Sequence, residues 1–263
     1  MGSGEVGCDR VARVGLSVAS AHAGNTMGLA NIENVMTRLK EIQHWGSLSV
    51  EKVAEGVNVA FRNAQELYDE AEILFQHGRF ARAASLAVLS IEEVGKVFLL
   101  PLLLTTTNQK DLRLIWKGYR NHKHKNNHVH LQITKAAQQP ITRHSIPPLA
   151  SSDRWSDGME DLKQIGFYTD CTYTKDWGIP SDAIKKAGAA QVMKIASNSL
   201  TKYHGLDSFG SFPFLQIWSK HARGIMDMNE DQKHAAFIAV FDEAEKASLI
   251  EPGSREAMEA FLK

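Results

Sequence analysis

The sequence predicts an all-α fold: a helical bundle extended by further helices toward the C-terminus. Three observations carry this. Apolar residues recur at steps of three and four over most of residues 50–250, strict alternation of the strand kind is scarce, and glycine and proline fall where helices need to stop. No internal repeat or low-complexity tract interrupts the pattern.

The first helix runs from about Val53, with Val57, Ala60, Phe61, Ala64, Leu67, Tyr68, Ala71, Leu74 and Phe75 on one face. Ser49 supplies a start signal and Gly78 a stop. A second helix begins near Arg79. It is apolar almost all round through Ala84, Val88, Ile91, Val94 and Val97, the character of a helix at the centre of a bundle, until Pro101 ends or kinks it. Its stretch from Ala83 to Leu104 has the length of a membrane span but contains Glu92, Glu93, Lys96 and Pro101. Each charge at a bilayer centre costs about 2.5–3.5 kcal/mol, so burial in protein is expected and no membrane partner.

A third helix is expected from Asp111 to about Lys135, buried early through Leu112, Ile115, Trp116 and Tyr119 and strongly polar beyond. Pro140, Pro147, Pro148 and Ser151-Ser152-Asp153 mark a loop. Aromatic residues 155–180 (Trp155, Tyr168, Tyr173, Trp177) are read mainly as core, with ligand stacking as the alternative. Helices follow over Ser181 to His204, Pro213 to Met228 and Glu230 to Leu249. The organisation expected is an N-terminal helical extension (1–48), a core bundle (49–137), a Pro-rich loop (138–157) and C-terminal helices packed on the core (158–263).

Lys+Arg and Asp+Glu both total 30, so net charge identifies no partner, but the local distribution does. Residues 110–130 hold Lys110, Arg113, Lys117, Arg120, Lys123 and Lys125 against one acid, Asp111, together with His122, His124, His128 and His130. The two cysteines, Cys8 and Cys171, have no metal spacing and suit a reducing, cytoplasmic setting. Residues 11–30 carry Arg13, His22, Asn25 and several glycines, which does not resemble a secretory leader.

Two constellations carry chemistry. In Ser90-Ile-Glu92-Glu93-Val-Gly95-Lys96, three charges interrupt an apolar helix, where leaving them unpaired would be expensive. Glu92 and Lys96 are spaced to pair along one face. The bland alternative is a solvated stripe on a mostly buried helix. In Tyr119-Arg120-Asn121-His122-Lys123-His124-Lys125-Asn126-Asn127-His128, a continuous helix would put Arg120, His124 and His128 on one face. Arginine beside histidines suits metal-free RNA cleavage: one imidazole takes the 2′-hydroxyl proton, another protonates the leaving 5′ oxygen, and guanidinium stabilises charge on phosphorus. The alternatives are a transition-metal site, which lacks an acid or cysteine nearby in sequence, and a basic helix end that merely attracts phosphate. No metal or cofactor is expected.

Several motifs resemble the AbiV-type abortive-infection proteins of the HEPN superfamily. They are Leu67-Tyr-Asp69-Glu-Ala71, Gly78-Arg-Phe80-Ala-Arg-Ala83-Ala84, Leu89-Ser-Ile-Glu92-Glu93-Val-Gly95-Lys96, Tyr119-Arg120-Asn-His122-Lys123-x-Lys125 and Gly166-Phe-Tyr168-Thr-Asp170…Trp177-Gly-Ile-Pro180, in order over roughly residues 50–205. The resemblance implies a HEPN-like helical bundle, often a homodimer, acting against phage, and in many members a metal-independent ribonuclease with its site where two copies meet. The superfamily signature, Arg, often Asn, then His after four to six intervening residues, begins at Arg120-Asn121. Residues 125–127 are Lys-Asn-Asn, however, so His124 stands one step short and His128 one beyond. Carried onto this sequence, the resemblance gives Arg120, His128, His124 and His122 as catalytic candidates and Asn121, Lys123 and Lys125 as RNA- or phosphate-binding residues. Glu92, Glu93 and Lys96 would support them. RNA, a second copy and a phage protein activator are the expected partners. The other readings are a non-catalytic interaction module, with Arg120, His122 and Lys125 paired inside the fold with Glu92 and Glu93, and nucleotide binding without cleavage in the same groove.

Overall fold

A computed structural model of the chain describes residues 43–123, 125–126, 154–171, 176–204 and 210–262. The chain divides into two units, residues 1–45 and 46–263. The expected N-terminal extension lies almost wholly outside the described residues, as do His124, His128, His130 and the prolines at 140, 147 and 148.

Among the described residues the larger unit is all-α apart from one two-residue hairpin. Helix α1 (Val50–Gln76) starts where Ser49 accepts the Lys52 amide, and ends at Gly78, whose φ of 72° lets the chain reverse. Helix α2 (Phe80–Leu99) follows at once and gives way to a 3₁₀ turn over Leu100–Leu104 that contains Pro101. Helix α2 is the hub: it packs on α1, α3 (Gln109–Arg120), α4 (Arg154–Phe167), α5 (Pro180–Ala183) and α6 (Lys186–His204). Its small residues Ala83, Ala87 and Ser90 let neighbours approach closely, and the Ser90 hydroxyl donates to the Ala64 carbonyl at 2.7 Å. Val88, Ile91 and Val94 complete one core with Ala64 and Ala71 of α1, Met159 of α4, and Val192, Met193, Ala196 and Leu200 of α6. A second core joins the start of α1 (Val53, Val57) to Leu112, Ile115 and Trp116 of α3.

Helices α7 (Phe212–His221), α8 (Glu230–Lys246) and α9 (Ser254–Leu262) form a satellite core around Phe214, Ile217, Val240 and Phe241. The Asn229/Gln232 capping box opens α8, and Trp218 ties α7 to the bundle through the Pro101 carbonyl at 3.1 Å. Among the described residues no helix is long and apolar enough to cross a membrane.

The helix expected over Pro213 to Met228 ends at His221, and Gly224 at φ 78° leads into a separate 3₁₀ turn over Ile225–Asp227; three further expectations need correction. The third helix does not run through the charged segment: it stops at Arg120, Asn121 is extended (φ −94°, ψ 122°), and a separate helical turn begins at His122. Nine successive polar or charged residues after Tyr119, from Arg120 to His128, give a continuing helix no apolar face to bury. The last four residues of the expected Pro-rich loop, Arg154–Asp157, belong instead to α4, with Ser156 buried, and the rest of that stretch lies outside the described residues. The aromatic stretch divides: Trp155 packs on the main core, whereas Tyr168 (65% exposed) and Trp177 (78% exposed) flank and enter the β1 (Asp170–Cys171)/β2 (Trp177–Gly178) hairpin and face solvent.

Candidate functional site

The site forms where α2, the turn at residues 122–126 and α4 converge on one carboxylate. Glu92 sits on the hub helix with 1% of its surface exposed. One oxygen, Oε1, accepts the Lys163 ammonium of α4 at 2.9 Å. The other, Oε2, faces His122 Nδ1 at 2.5 Å and Lys125 Nζ at 3.6 Å. Lys163 also donates to Glu160 at 2.7 Å, so its ammonium bridges two carboxylates. Two buried lysines against two carboxylates balance the charge, which is the condition for such groups to stay inside a fold.

The local sequence explains how each group arrives. Helix α3 ends at Asn121, whose carbonyl accepts the Lys125 amide at 3.3 Å and so starts the new turn. That turn lies directly on α2: a Cβ on Gly95 would fall 2.9 Å from Lys125 Cα and closer still to its carbonyl. Only glycine admits this approach. On its outer side Lys123 pairs with Asp157 of α4 at 2.6 Å. Helix α4 is held to α2 by a parallel device, the Ser85 hydroxyl donating to the Lys163 carbonyl at 3.1 Å beside Gly166.

The electrostatics follow the same pattern. Burial pushes the Lys125 ammonium below its ordinary pKa, and Glu92 only partly counters this. Burial acts on Lys163 in the same sense, but its hydrogen bonds to Glu160 and Glu92 outweigh it, and its pKa is raised. Burial acts upward on Glu160, yet the bonds from Lys163 and Gln164 hold it below the ordinary 4.5. A depressed carboxyl stabilises the fold above its unfolded pKa and loses that contribution as pH falls through the folded value. The urea midpoint therefore falls as pH drops below about 4.5, and Glu160→Gln flattens this acid limb, read by urea unfolding at several pH values.

The predicted residues divide by position. His122 reaches Glu92 with 53% of its side chain still exposed. A carboxylate only accepts, so Nδ1 carries the proton and Nε2 is the nitrogen left for chemistry. Arg120, at the end of α3, stacks 4.9 Å over the Trp116 ring and donates to the Trp116 carbonyl at 3.3 Å. Lys125 turns inward and is 4% exposed, whereas Lys123 and Asn121 lie on the surface. Glu93 pairs with Lys96 at 2.5 Å, and Lys96 lies 5.2 Å over the Tyr119 ring, so this pair braces α3 against α2. The Glu92–Lys96 pairing that the spacing suggested is replaced by Glu93–Lys96, while Glu92 turns to α4.

Sequence reasoning missed Lys163, Glu160 and Asp157, which come from beyond the Pro-rich stretch of the sequence. A signal existed: Met159, Leu162, Lys163 and Gly166 share the buried face of α4, and a lysine on an apolar face needs a buried partner. Glu92, His122 and Glu160 also bring possible ligand atoms within 4.8 Å of one another. The Lys163 ammonium already bridges both carboxylates, so a metal cation there would meet a resident charge.

These features define a helical-bundle protein whose central helix buries a multiply paired glutamate beneath an Arg/His/Lys turn. The chain matches the family model HEPN_AbiV, described as AbiV, over residues 52–201, which spans α1 to α6 and every residue of the site above. It belongs to that family. No curated protein and no solved structure matches the chain.

Proposed function

We propose that the chain is an anti-phage abortive-infection protein that cleaves RNA without a metal, in the cytoplasm, at a site completed by a second copy. The observation that supports this most is the Glu92–His122 pair: a buried carboxylate fixes one imidazole nitrogen and leaves the other beside solvent. Such a pair orients a general base and stabilises the imidazolium that forms. His122 takes the proton of the 2′-hydroxyl, Arg120 stabilises charge on phosphorus, and Lys123 and Asn121 contact phosphate. His124 or His128 supplies the second proton-transfer group, and a phage protein triggers activity.

The test is cleavage of RNA by purified protein in EDTA, wild type beside Arg120→Ala and His122→Ala. Losing a general acid–base group lowers rate by about 10²–10⁴-fold. Undiminished cleavage in either variant would sink the reading.

A specific observation favours a second reading. Lys125 and Lys163 are buried and both pair with the buried Glu92, which suits a structural cluster in a non-catalytic interaction module. Absence of cleavage by wild type, alone or with phage lysate, would support that reading.

A further inference from the structure

Helix α3 presents an unbalanced charge series to solvent. Lys110, Arg113 and Lys117 are all exposed, and none makes a side-chain hydrogen bond or ion pair among the described residues. At 100° per residue they and Arg120 lie within an arc of about 80° on one side of the helix. The acid of this helix, Asp111, is engaged by Asn108 at the N-terminus. The series ends at Arg120, two residues before His122.

Exposed cations elsewhere on the bundle do not share this arrangement. Lys52, Lys185, Lys220 and Lys246 pair with surface carboxylates, and the exposed cations that make no ion pair among the described residues, such as Arg62, Arg82 and Lys194, do not form a row of three on one helix face. Unpaired cations of one sign in a row create a potential that falls off slowly along the row and attracts an extended polyanion. They give little to a protein partner, because a protein interface needs an apolar centre. On this face Leu114, 40% exposed, is the one large apolar side chain among the exposed hydrophobics of α3.

We propose that the solvent face of α3, through Lys110, Arg113 and Lys117, is a backbone track for single-stranded RNA leading to Arg120 and His122. Lys110 to Arg120 covers about 15 Å along the axis, roughly four nucleotides at a stacked rise of about 3.4 Å each. The track reads phosphate, so it adds affinity without base preference. This rests on the reading of the site as an RNA site.

The test is binding of a fluorescein-labelled 20-nucleotide oligouridylate in EDTA, followed by anisotropy between 50 and 200 mM salt. His122→Ala serves as the background so that the probe stays intact. Lys110→Gln, Arg113→Gln and Lys117→Gln are introduced together; the sites are exposed and glutamine is a good helix former, so an unchanged urea midpoint confirms the fold. Each lost phosphate contact removes about 0.7 from the slope of log affinity against log salt. The triple variant is expected to lose about 2 from that slope, so the advantage of the unsubstituted background shrinks roughly fifteenfold between 50 and 200 mM salt.

An unchanged slope overturns the track whatever the cleavage assay gives. A reduced slope in a protein that never cleaves RNA supports the track while the ribonuclease reading fails. If the substitutions abolish binding to phosphatidylserine vesicles and leave the RNA slope intact, the face serves a membrane surface and the proposal is overturned.

Discussion

Glu92→Ala is expected to destabilise the fold by about 3–5 kcal/mol, the cost of removing one partner from a buried charge cluster. The carboxylate is the common acceptor of Lys163, Lys125 and His122, and its side chain is 2% exposed. Without it Lys163 retains Glu160, but Lys125 is left buried with a lowered pKa, and Glu93 is the carboxylate that still acts on it among the described residues. The lysine must then shed its proton or draw the turn out toward water, and both outcomes weaken the packing on α2. Urea unfolding measures the loss, and a cycle with Lys125→Met separates the pair from the carboxylate alone. Coupling of more than about 1 kcal/mol is expected, with the double variant recovering part of the loss. A loss below about 1 kcal/mol for Glu92→Ala would mean that water already solvates the cluster, and the argument from burial would fail.

How legible this site was depended on how local each contact is. The bundle itself was legible, because α1, α2 and α6 bury stripes set by helical periodicity, and Ser49, Gly78 and Pro101 act within a few residues of themselves. Glu92 was identifiable, with Glu93 and Lys96, as a charge that had to be reconciled with an apolar helix, and His122 and Lys125 as groups that pair with it if the cluster is internal. Lys163 and Glu160 were not, since Lys163 reaches Glu92 across 71 residues and its own helix begins inside a stretch read as loop. The break at Asn121 was also invisible to periodicity: a polar run carries no stripe that distinguishes one helix from two. That break removes the premise that Arg120, His124 and His128 share the face of a continuous helix. It also explains why His122, which a continuous helix would have set to one side, reaches Glu92. Tyr168 and Trp177 mislead for a different reason. Aromatic composition argues for burial on average, whereas these two side chains stand at a two-stranded hairpin and face solvent.

Gly95→Ala is the second large effect, and two opposing terms decide its sign. In an exposed helix interior the change would stabilise by about 0.5–1 kcal/mol, because alanine loses less backbone entropy than glycine. Here the new methyl meets the backbone of residue 125, with Lys125 Cα at 2.9 Å and the carbonyl carbon at 2.8 Å. Backbone cannot rotate away as the end of a side chain would, so the turn must lift from α2, and overpacking of this kind costs about 1–3 kcal/mol. The turn is also poorly placed to resist. Asn126 beside the contact is 0% exposed with neither side-chain polar atom hydrogen-bonded, so lifting the turn relieves a desolvation cost already present in the native state. Detachment of the turn, with the bundle intact, is therefore the expected response. The urea midpoint should fall modestly while RNA cleavage falls as far as in His122→Ala, because Nδ1 no longer reaches Glu92. Hydrogen exchange should show lost protection at the Lys125 amide, with the α1 and α2 amides unchanged. Retained cleavage at the wild-type rate would show that the glycine contact does not set the position of His122.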